Sequence, residues 1–263
     1  MKDWSNKAPA PRFYHQKRIS AEILYALHPI MEALDAGQEL ERIVLRKGLT
    51  GEQIPLILRR ARERGIPVQH VPAEWFIRLG SRTHQGAVAF RSPIEYQKIE
   101  WIIPSLFEHG EEPLIVVAGG ITDVRNLGAI VRTAECAGAH ALVMPMQGGA
   151  QINADAVKTS AGALAHFPVC RTQSLVQTCR YLKESGLRLV AATEYGETYY
   201  AKAALGGPLA LILGDEGTGV PDELLRLCDE TLRIPLHGQI SSLNVSVAAG
   251  ILLYAIEAQR EES

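Results

Sequence analysis

The stretch LALILGDEGTGVP, residues 209–221, sets five apolar residues against a turn that holds Gly214, Gly217 and Gly219 and ends at Pro221. An unbroken apolar run of this kind suits a strand covered on both faces, as in a parallel sheet flanked by helices. Proline is tolerated in the first turn of a helix, where an N–H would have no partner, so the stretch reads as strand, glycine turn and helix. The glycines let the backbone curl closely around a ligand and turn N–H groups toward it. Outward from this stretch, LIVVA (114–118), ALVM (141–144), FPVC (167–170), RLVAA (188–192) and TLRIP (231–235) read as further buried strands. Helical patterns fall between them at about 127–137, 154–164, 175–185 and 221–228. The expected class for 113–263 is an α/β open sheet, in which ligands bind beyond the carboxyl ends of the strands.

Two further strand ends carry polar groups beside glycine. In GGITDVRNLGAIVRTAECAGA (119–139) Asn126 suits a helix N-cap, Gly138 a stop, and Leu127, Ile130, Val131 and Ala134 a buried stripe. Arg132 lies between apolar positions. It either pairs with Glu135 on the surface or stands as a cation at a cleft rim. In GQISSLNVSVAAGILLYAIEAQR (238–260) the residues Val245, Ala248, Ala249, Leu252, Leu253 and Ile256 mark a closing helix with one buried stripe. Ser241 or Ser242 would cap it, which leaves Asn244 and Ser246 free of capping duty near N–H groups that suit an anionic or electron-rich ligand. The glycines do not fit GxGxxG, so a dinucleotide site is not supported.

At 263 residues, 47% hydrophobic and 21% charged, the chain reads as globular, in one large or two ordinary domains. MKDWSNKAPAPRFYHQKR (1–18) has no apolar run, and no later stretch is long enough to cross a bilayer, so a cytoplasmic protein is expected. Cys136, Cys170, Cys179 and Cys228 form no CxxC pair, which argues against a metal site or a disulfide framework and for packed, reduced thiols. The formal net charge of −2 conceals an asymmetry. Residues 1–92 hold 15 Lys and Arg against 9 Asp and Glu, and the remainder 12 against 20. The first part is thereby expected to face a polyanion, with an ordinary solvated surface as the alternative.

Within that first part, 1–18 read as a basic flexible tail. A helix over 21–36 ended by Gly37, a strand at 42–45, a helix over 52–64 stopped by Gly65, the strand IPVQHV (66–71), a helix from Pro72 and the strand GAVAF (86–90) make a small α/β domain, 19–92. In EQIPLILRRARERG (52–65) the apolar face Ile54, Ile57, Leu58 and Ala61 leaves Arg59, Arg60, Arg62 and Arg64 outward. Guanidinium groups so placed can hold phosphates by forked hydrogen bonds, although helices also carry arginine for solubility. The proline-bounded segment 93–112 reads as a connecting helix or linker.

NLGAIVRTAECAG, LILGDEGTGV and IPLHGQISSLNVSVAAGI together resemble the three motifs of the SpoU/TrmH branch of the SPOUT RNA methyltransferases, over essentially all of 113–260. LHPIMEALDAGQELERIVL, ARERGIPVQHV, THQGAVAF and GGAQINADAVKTSAGA are similar to the subgroup that makes 2′-O-methylguanosine in 23S rRNA. The resemblance implies a small substrate-binding domain, then an α/β domain whose carboxyl-terminal part forms a trefoil knot, and a homodimer joined through the knotted domain. It implies an S-adenosylmethionine site at Thr193, Glu194, Gly214, Glu216, Gly217, Ile234, Leu236 and Leu243. It also places Asn126, Arg132, Glu216, Ser242 and Asn244 at the reaction point. Guanidinium hardly deprotonates, so Arg132 is expected to fix the 2′-oxygen or a neighbouring phosphate. Arg59, Arg60, Arg62, Arg64, Arg82, His84 and Gln85 are the expected RNA contacts, since unpaired RNA is read through backbone charge, bases and 2′-hydroxyls. The chain departs from the family pattern at Gly119–Gly120, where relatives commonly have Asp-Gly, and at Val124, where many have proline. The alternatives are 2′-O-methylation of tRNA or of another rRNA site, and a non-catalytic RNA-binding assembly protein.

Overall fold

A computed structural model describes residues 23–80, 83–215 and 217–261. The first sheet comes from β1 (Ile23–Tyr25), α1 (Leu27–Asp35), β2 (Leu40–Arg46), α2 (Gln53–Glu63), β3 (Val68–Val71), α3 (Ala73–Ile77) and β4 (Ala87–Arg91). Its strand order is β1-β4-β2-β3, with β1 and β2 antiparallel to β4 and β2 parallel to β3. Ile30, Leu34, Leu40, Ile43, Ile57 and Ala61 form its core. The helix expected over 21–36 is corrected, because residues 23–25 pair with β4 as an edge strand. Ala26, at a φ of +74°, then separates that strand from α1. A left-handed residue cannot continue a helix, so the apolar period breaks there.

The second sheet contains α4 (Ile99–Glu108), β5 (Leu114–Gly119), α5 (Val124–Cys136), β6 (Ala141–Pro145), α6 (Ala154–Thr159), β7 (Val169–Thr172), α7 (Leu175–Glu184), β8 (Arg188–Ala192), β9 (Thr198–Tyr199), β10 (Leu209–Gly214), α8 (Asp222–Leu225), β11 (Glu230–Arg233) and α9 (Val245–Glu261). The order is β7-β6-β5-β10-β8-β11-β9 and every neighbouring pair is parallel. Along β5, Leu114, Val116 and Ala118 enter a core shared with α5 and α9. Ile115 and Val117 enter the opposite one, shared with α4, α7 and α8. A strand buried on both faces needs apolar residues at every position, which is why the runs are unbroken.

The helix expected over 154–164 stops at Thr159, because Ala161 and Gly162 take positive φ before a short 3₁₀ turn at Ala163–Ala165. The segment 93–112 holds α4, whose Ile99 and Ile103 are buried in the second sheet's core, while Gln97 bridges to Cys170. Cys170 and Cys179 are buried and burial pushes both thiols up to about 12, while that of Cys228 is pushed to about 11. Cys136 is exposed on α5, contrary to the expectation of four packed thiols.

Candidate active site

The carboxyl ends of β8, β10 and β11 open onto one cavity of about 380 Å³. Thr193 and Glu194 reach it from the end of β8, Gly214 and Gly217 from the turn after β10, Ile234 and Leu236 from beyond β11, and Leu243 from the approach to α9. Every described residue expected around the cofactor therefore lines the same space. Leu213, Leu232, Val245, Ala248 and Leu252 supply apolar wall that the sequence reading does not single out. Tyr195, 89% exposed, stands at its rim. Volume and lining suit a nucleoside-sized ligand, at the small end of the ~300–1,000 Å³ typical of such sites.

The turn after β10 is held by backbone. Asp215 N–H donates to the Gly219 carbonyl at 3.2 Å and Gly219 N–H donates back at 2.9 Å. A Cβ on Gly214 would fall on the backbone of Gly219 and Val220, so only glycine permits that approach. The expectation that this turn aims free N–H groups at a ligand is corrected in part. Asp215 Oδ1 accepts from Gly217 N–H at 2.7 Å and from Thr218 N–H at 3.1 Å, which ties them into the turn itself. Glu216 lies outside the described residues.

At the cavity's mouth two capping expectations change. The N-cap of α5 is Asp123, not Asn126, and its Oδ1 accepts from Arg125 N–H at 2.7 Å. That hydrogen bond holds the Asp123 carboxyl below the usual range. Asn126, in the first turn of α5, is left to face α9, and Asn244 Nδ2 donates to its Oδ1 at 3.0 Å. Asn244 Oδ1 accepts from the N–H and the hydroxyl of Ser246 at 3.0 and 2.5 Å, so Asn244, rather than Ser241 or Ser242, caps α9. Asn244 sits between Leu243 and Val245, both of which line the cavity. Ser242 is half-buried in the same approach.

Arg132 is exposed, and no hydrogen bond or ion pair to its guanidinium occurs among the described residues. Six residues on from Asn126, it stands about a third of a turn away around α5, and neither asparagine hydrogen-bonds its guanidinium among the described residues. The surface pair with Glu135 is absent, since Glu135 approaches His166 at 3.2 Å. The loop before α5 is held without the usual aspartate: Ala150 N–H donates to the Ile121 carbonyl at 2.8 Å. A Cβ on Gly119 would press on the Leu213 carbonyl at 3.1 Å and on Leu224 at 3.3 Å, so this packing leaves little room for a side chain.

Of the arginines on α2, two turn inward and correct the expectation of an outward cluster. Arg60 pairs with Asp35. Arg64 donates to the carbonyls of Leu34, Gly37 and Gln38 at 3.1, 2.9 and 2.9 Å, satisfying the end of α1. Arg59 and Arg62 remain exposed, Arg59 within 3.8 Å of Glu63. His84 stacks on Phe76 with centroids 4.6 Å apart, and with Gln85, Arg46 and Ile77 it borders an open depression of about 740 Å³. Arg82 and the tail 1–18 lie outside the described residues.

Residues 113–254 match the model of the SpoU rRNA methylase family. The chain belongs to that family. Residues 23–97 match the model for RNA 2′-O ribose methyltransferase substrate binding, which accounts for the first sheet of this SpoU chain. The 23S rRNA (guanosine-2′-O-)-methyltransferase RlmB of Yersinia pestis is 34% identical over 244 residues, 91% of this chain and 98% of that one. The AdoMet-bound rRNA methyltransferase from Sinorhizobium meliloti superposes with a TM-score of 0.56 at 25% identity, covering 90% of this chain and 86% of that one. The SpoU methyltransferase AviRb from Streptomyces viridochromogenes shares the fold, with a TM-score of 0.59 at 24% identity over 92% and 90% of the two chains. The expected α/β architecture, a small substrate-binding unit before a parallel sheet, is that of the SpoU proteins. No helix among the described residues is long and apolar enough to cross a membrane.

Proposed function

We propose that this SpoU protein transfers a methyl group from S-adenosylmethionine to the 2′-hydroxyl of a guanosine in 23S rRNA. The observation that carries the reading is the Asn126–Asn244 hydrogen bond at the mouth of the cavity, which joins the first-motif and third-motif loops beside the residues of the second. Bound here, S-adenosylmethionine would supply a sulfonium methyl for the ribose oxygen, leaving as the neutral thioether S-adenosylhomocysteine while the hydroxyl proton passes to water. Ile234, Leu236 and Leu243 would cover the faces of its adenine, and Thr193, Glu194 and the main chain of Gly214 and Gly217 would meet its polar edges. Asn126, Ser242 and Asn244 orient the nucleotide. Arg132 fixes the 2′-oxygen or its neighbouring phosphate and stabilises the negative charge that develops as the proton departs.

Arg132 enters the site of a second copy in this reading, because its exposed guanidinium has no hydrogen bond or ion pair among the described residues of its own chain. The exposed apolar Val247 and Tyr254, seven residues apart on one face of α9, support a homodimer through the second sheet's unit. The trefoil threading implied by the family likeness is supported by the way the end of β8, the described residues of the turn after β10 and the segment between β11 and α9 all contribute to one cavity. We divide the chain into an RNA-binding unit, 19–92, and a catalytic unit, 113–263, with α4 packed on the latter. Its place of action is the cytoplasm, where ribosomal RNA is the substrate. Arg59, Arg62, His84 and Gln85 are the RNA contacts of the first unit.

Transfer of labelled methyl from S-adenosylmethionine to unmodified 23S rRNA, 16S rRNA and tRNA tests the proposal, with the product nucleoside located by mass spectrometry. A single 2′-O-methylguanosine in 23S rRNA is the expected result. Label confined to tRNA would overturn the substrate, and cofactor binding without label on any RNA would favour the non-catalytic reading.

A further inference from the structure

The two sheets meet through a buried polar cluster that lies outside the cavity. Glu41 sits where the pairing of β2 with β4 slips by one residue, between Leu40 and Arg42, as the extra residue of a β-bulge. A bulge re-aims a side chain, and here it sends the Glu41 carboxylate out of the first sheet toward the second. Its Oε1 receives the guanidinium of Arg171, on β7, and the Ile152 N–H at 3.0 Å. Its Oε2 accepts from the Tyr96 hydroxyl at 2.6 Å, and its main-chain carbonyl accepts from Arg171 Nη1 at 3.2 Å. The Arg171 guanidinium also lies 3.8 Å over the Tyr96 ring. The Glu41 and Arg171 side chains are 5% and 8% exposed.

Removing two charges from water costs several kcal/mol per ion, and well-packed apolar residues hold two units together as firmly. What an ion pair with directed hydrogen bonds adds is a fixed orientation. Ile152 is adjacent to Asn153, which caps α6 by accepting from Asp155 and Ala156 N–H groups at 2.9 and 3.1 Å. Two residues before Ile152, Ala150 N–H holds the Ile121 carbonyl in the loop that leads to Asn126. Two hydrogen bonds and the backbone between them therefore link the bulge in the first sheet to the loop that leads into α5 and Asn126.

We infer that Glu41, Arg171 and Tyr96 are positioning residues that set the angle of the RNA-binding sheet against the Asn126 loop, so that RNA bound by the first arrives in register with the methyl-transfer site. The inference rests on the proposed function, since it takes the first sheet to be the one that holds RNA. A carboxamide at position 41 removes the charge that orients Arg171, whereas Tyr96→Phe removes one hydrogen bond and leaves the ion pair.

The test compares full-length wild type, Glu41→Gln and Tyr96→Phe in three measurements: methyl transfer at varied 23S rRNA and saturating S-adenosylmethionine, cofactor affinity by calorimetry, and radius of gyration by X-ray scattering. Glu41→Gln should raise KM for RNA about tenfold and Tyr96→Phe about threefold, with kcat held within about twofold, because a sheet that is no longer preset must be ordered as the RNA docks, a cost borne by binding rather than by the chemical step. Cofactor affinity should not move, and the radius of gyration should rise. A KM at the wild-type value in both variants overturns the inference. So does a loss confined to kcat and proportional to the unfolded fraction, which is what a merely structural role would give. Should Glu41→Gln fail to fold, Tyr96→Phe decides by the same criteria. Should wild type methylate no RNA, the functional reading fails on its own and the scattering arm still decides whether the cluster fixes the two sheets, an unchanged radius in the variants counting against it.

Discussion

Leu213, Leu232, Ile234 and Leu252 wall the cavity at the strand ends with apolar surface, and a backbone turn without room for a Cβ at Gly214 closes it. A few residues away, Asn126, Arg132, Ser242 and Asn244 are half-buried or exposed, and the guanidinium of Arg132 is held by nothing among the described residues. One region is closed by apolar packing and backbone, and the other is an open set of polar side chains. A small cofactor gains its affinity from a preformed concave site, whereas a polymer brings ribose, phosphate and base that finish the polar side when it docks. The two regions should therefore fail separately when each is damaged.

Arg132→Ala gives the largest separation. Loss of a charge-stabilising donor at a reacting oxygen costs roughly 10²- to 10³-fold in turnover. We expect that loss in labelled methyl transfer, while calorimetry shows S-adenosylmethionine binding within about twofold of wild type. Wild-type turnover in this variant would remove Arg132 from the site. Gly214→Ala attacks the other region. The new methyl falls on the backbone of Gly219 and Val220, and overpacking of this kind costs about 1–3 kcal/mol. The turn must shift, so cofactor affinity should fall about tenfold or more by calorimetry, the opposite pattern to Arg132→Ala.

These two positions also mark what the sequence could and could not disclose. The strands were legible because burial on both faces of a parallel sheet forces unbroken apolar runs such as LIVVA and LALIL, and those runs became β5 and β10. The architecture alone placed a site at the strand ends, whereas the lining from Thr193, Glu194, Ile234, Leu236 and Leu243 was implied by the SpoU likeness and not by period or spacing. Capping was less legible. Asp123 and Asn126 are both good cap residues, three apart, and only the backbone path of the loop decides that Asp123 caps α5 while Asn126 turns to Asn244. Direction around a helix is also hidden from the sequence where tertiary partners compete for a side chain. Arg60 and Arg64 lie on the polar side of α2, yet the unsatisfied carbonyls at the end of α1 draw Arg64 inward. The Glu41 bulge leaves no signal in composition or period, because it depends on how β2 pairs with a strand more than forty residues away.

The inward and outward arginines offer a smaller contrast. Reversing Arg59 and Arg62 together to glutamate should weaken RNA binding and flatten its salt dependence by about one or two in log–log slope, since each phosphate contact contributes roughly 0.7–0.9. The first sheet should keep its thermal stability. Replacing Arg60 and Arg64 by alanine should do the reverse, lowering the melting temperature while the salt slope changes little, because those guanidinium groups satisfy Asp35 and the carbonyls after α1. Equal salt slopes for the two pairs would argue that the exposed arginines serve solubility alone.

The smallest expected effect lies at the end of the second sheet away from the cavity. His140, just before β6, accepts from Leu114 N–H at Nδ1 over 2.9 Å and faces Glu111 through Nε2 over 2.9 Å. Burial, reinforced by Arg260, outweighs Glu111 and lowers its pKa below the ordinary histidine value. A neutral imidazole that donates from Nε2 and accepts at Nδ1 satisfies both contacts; protonation at Nδ1 ends the bond from Leu114. The unfolded chain binds this proton first as pH falls below about 6.5, the ordinary histidine value, so the stabilisation is full above that pH and is lost on acidification toward the folded-state value. Melting temperature measured from pH 7.5 to 5.5 should decline, and His140→Gln should flatten the decline. Cofactor affinity, set at the opposite end of the same sheet by the carboxyl ends of β8, β10 and β11, should hardly follow it. If affinity and melting temperature instead fell together in wild type and variant alike, the two ends of the sheet would be coupled, and the cavity could not be the self-sufficient region that sets it apart from its mouth.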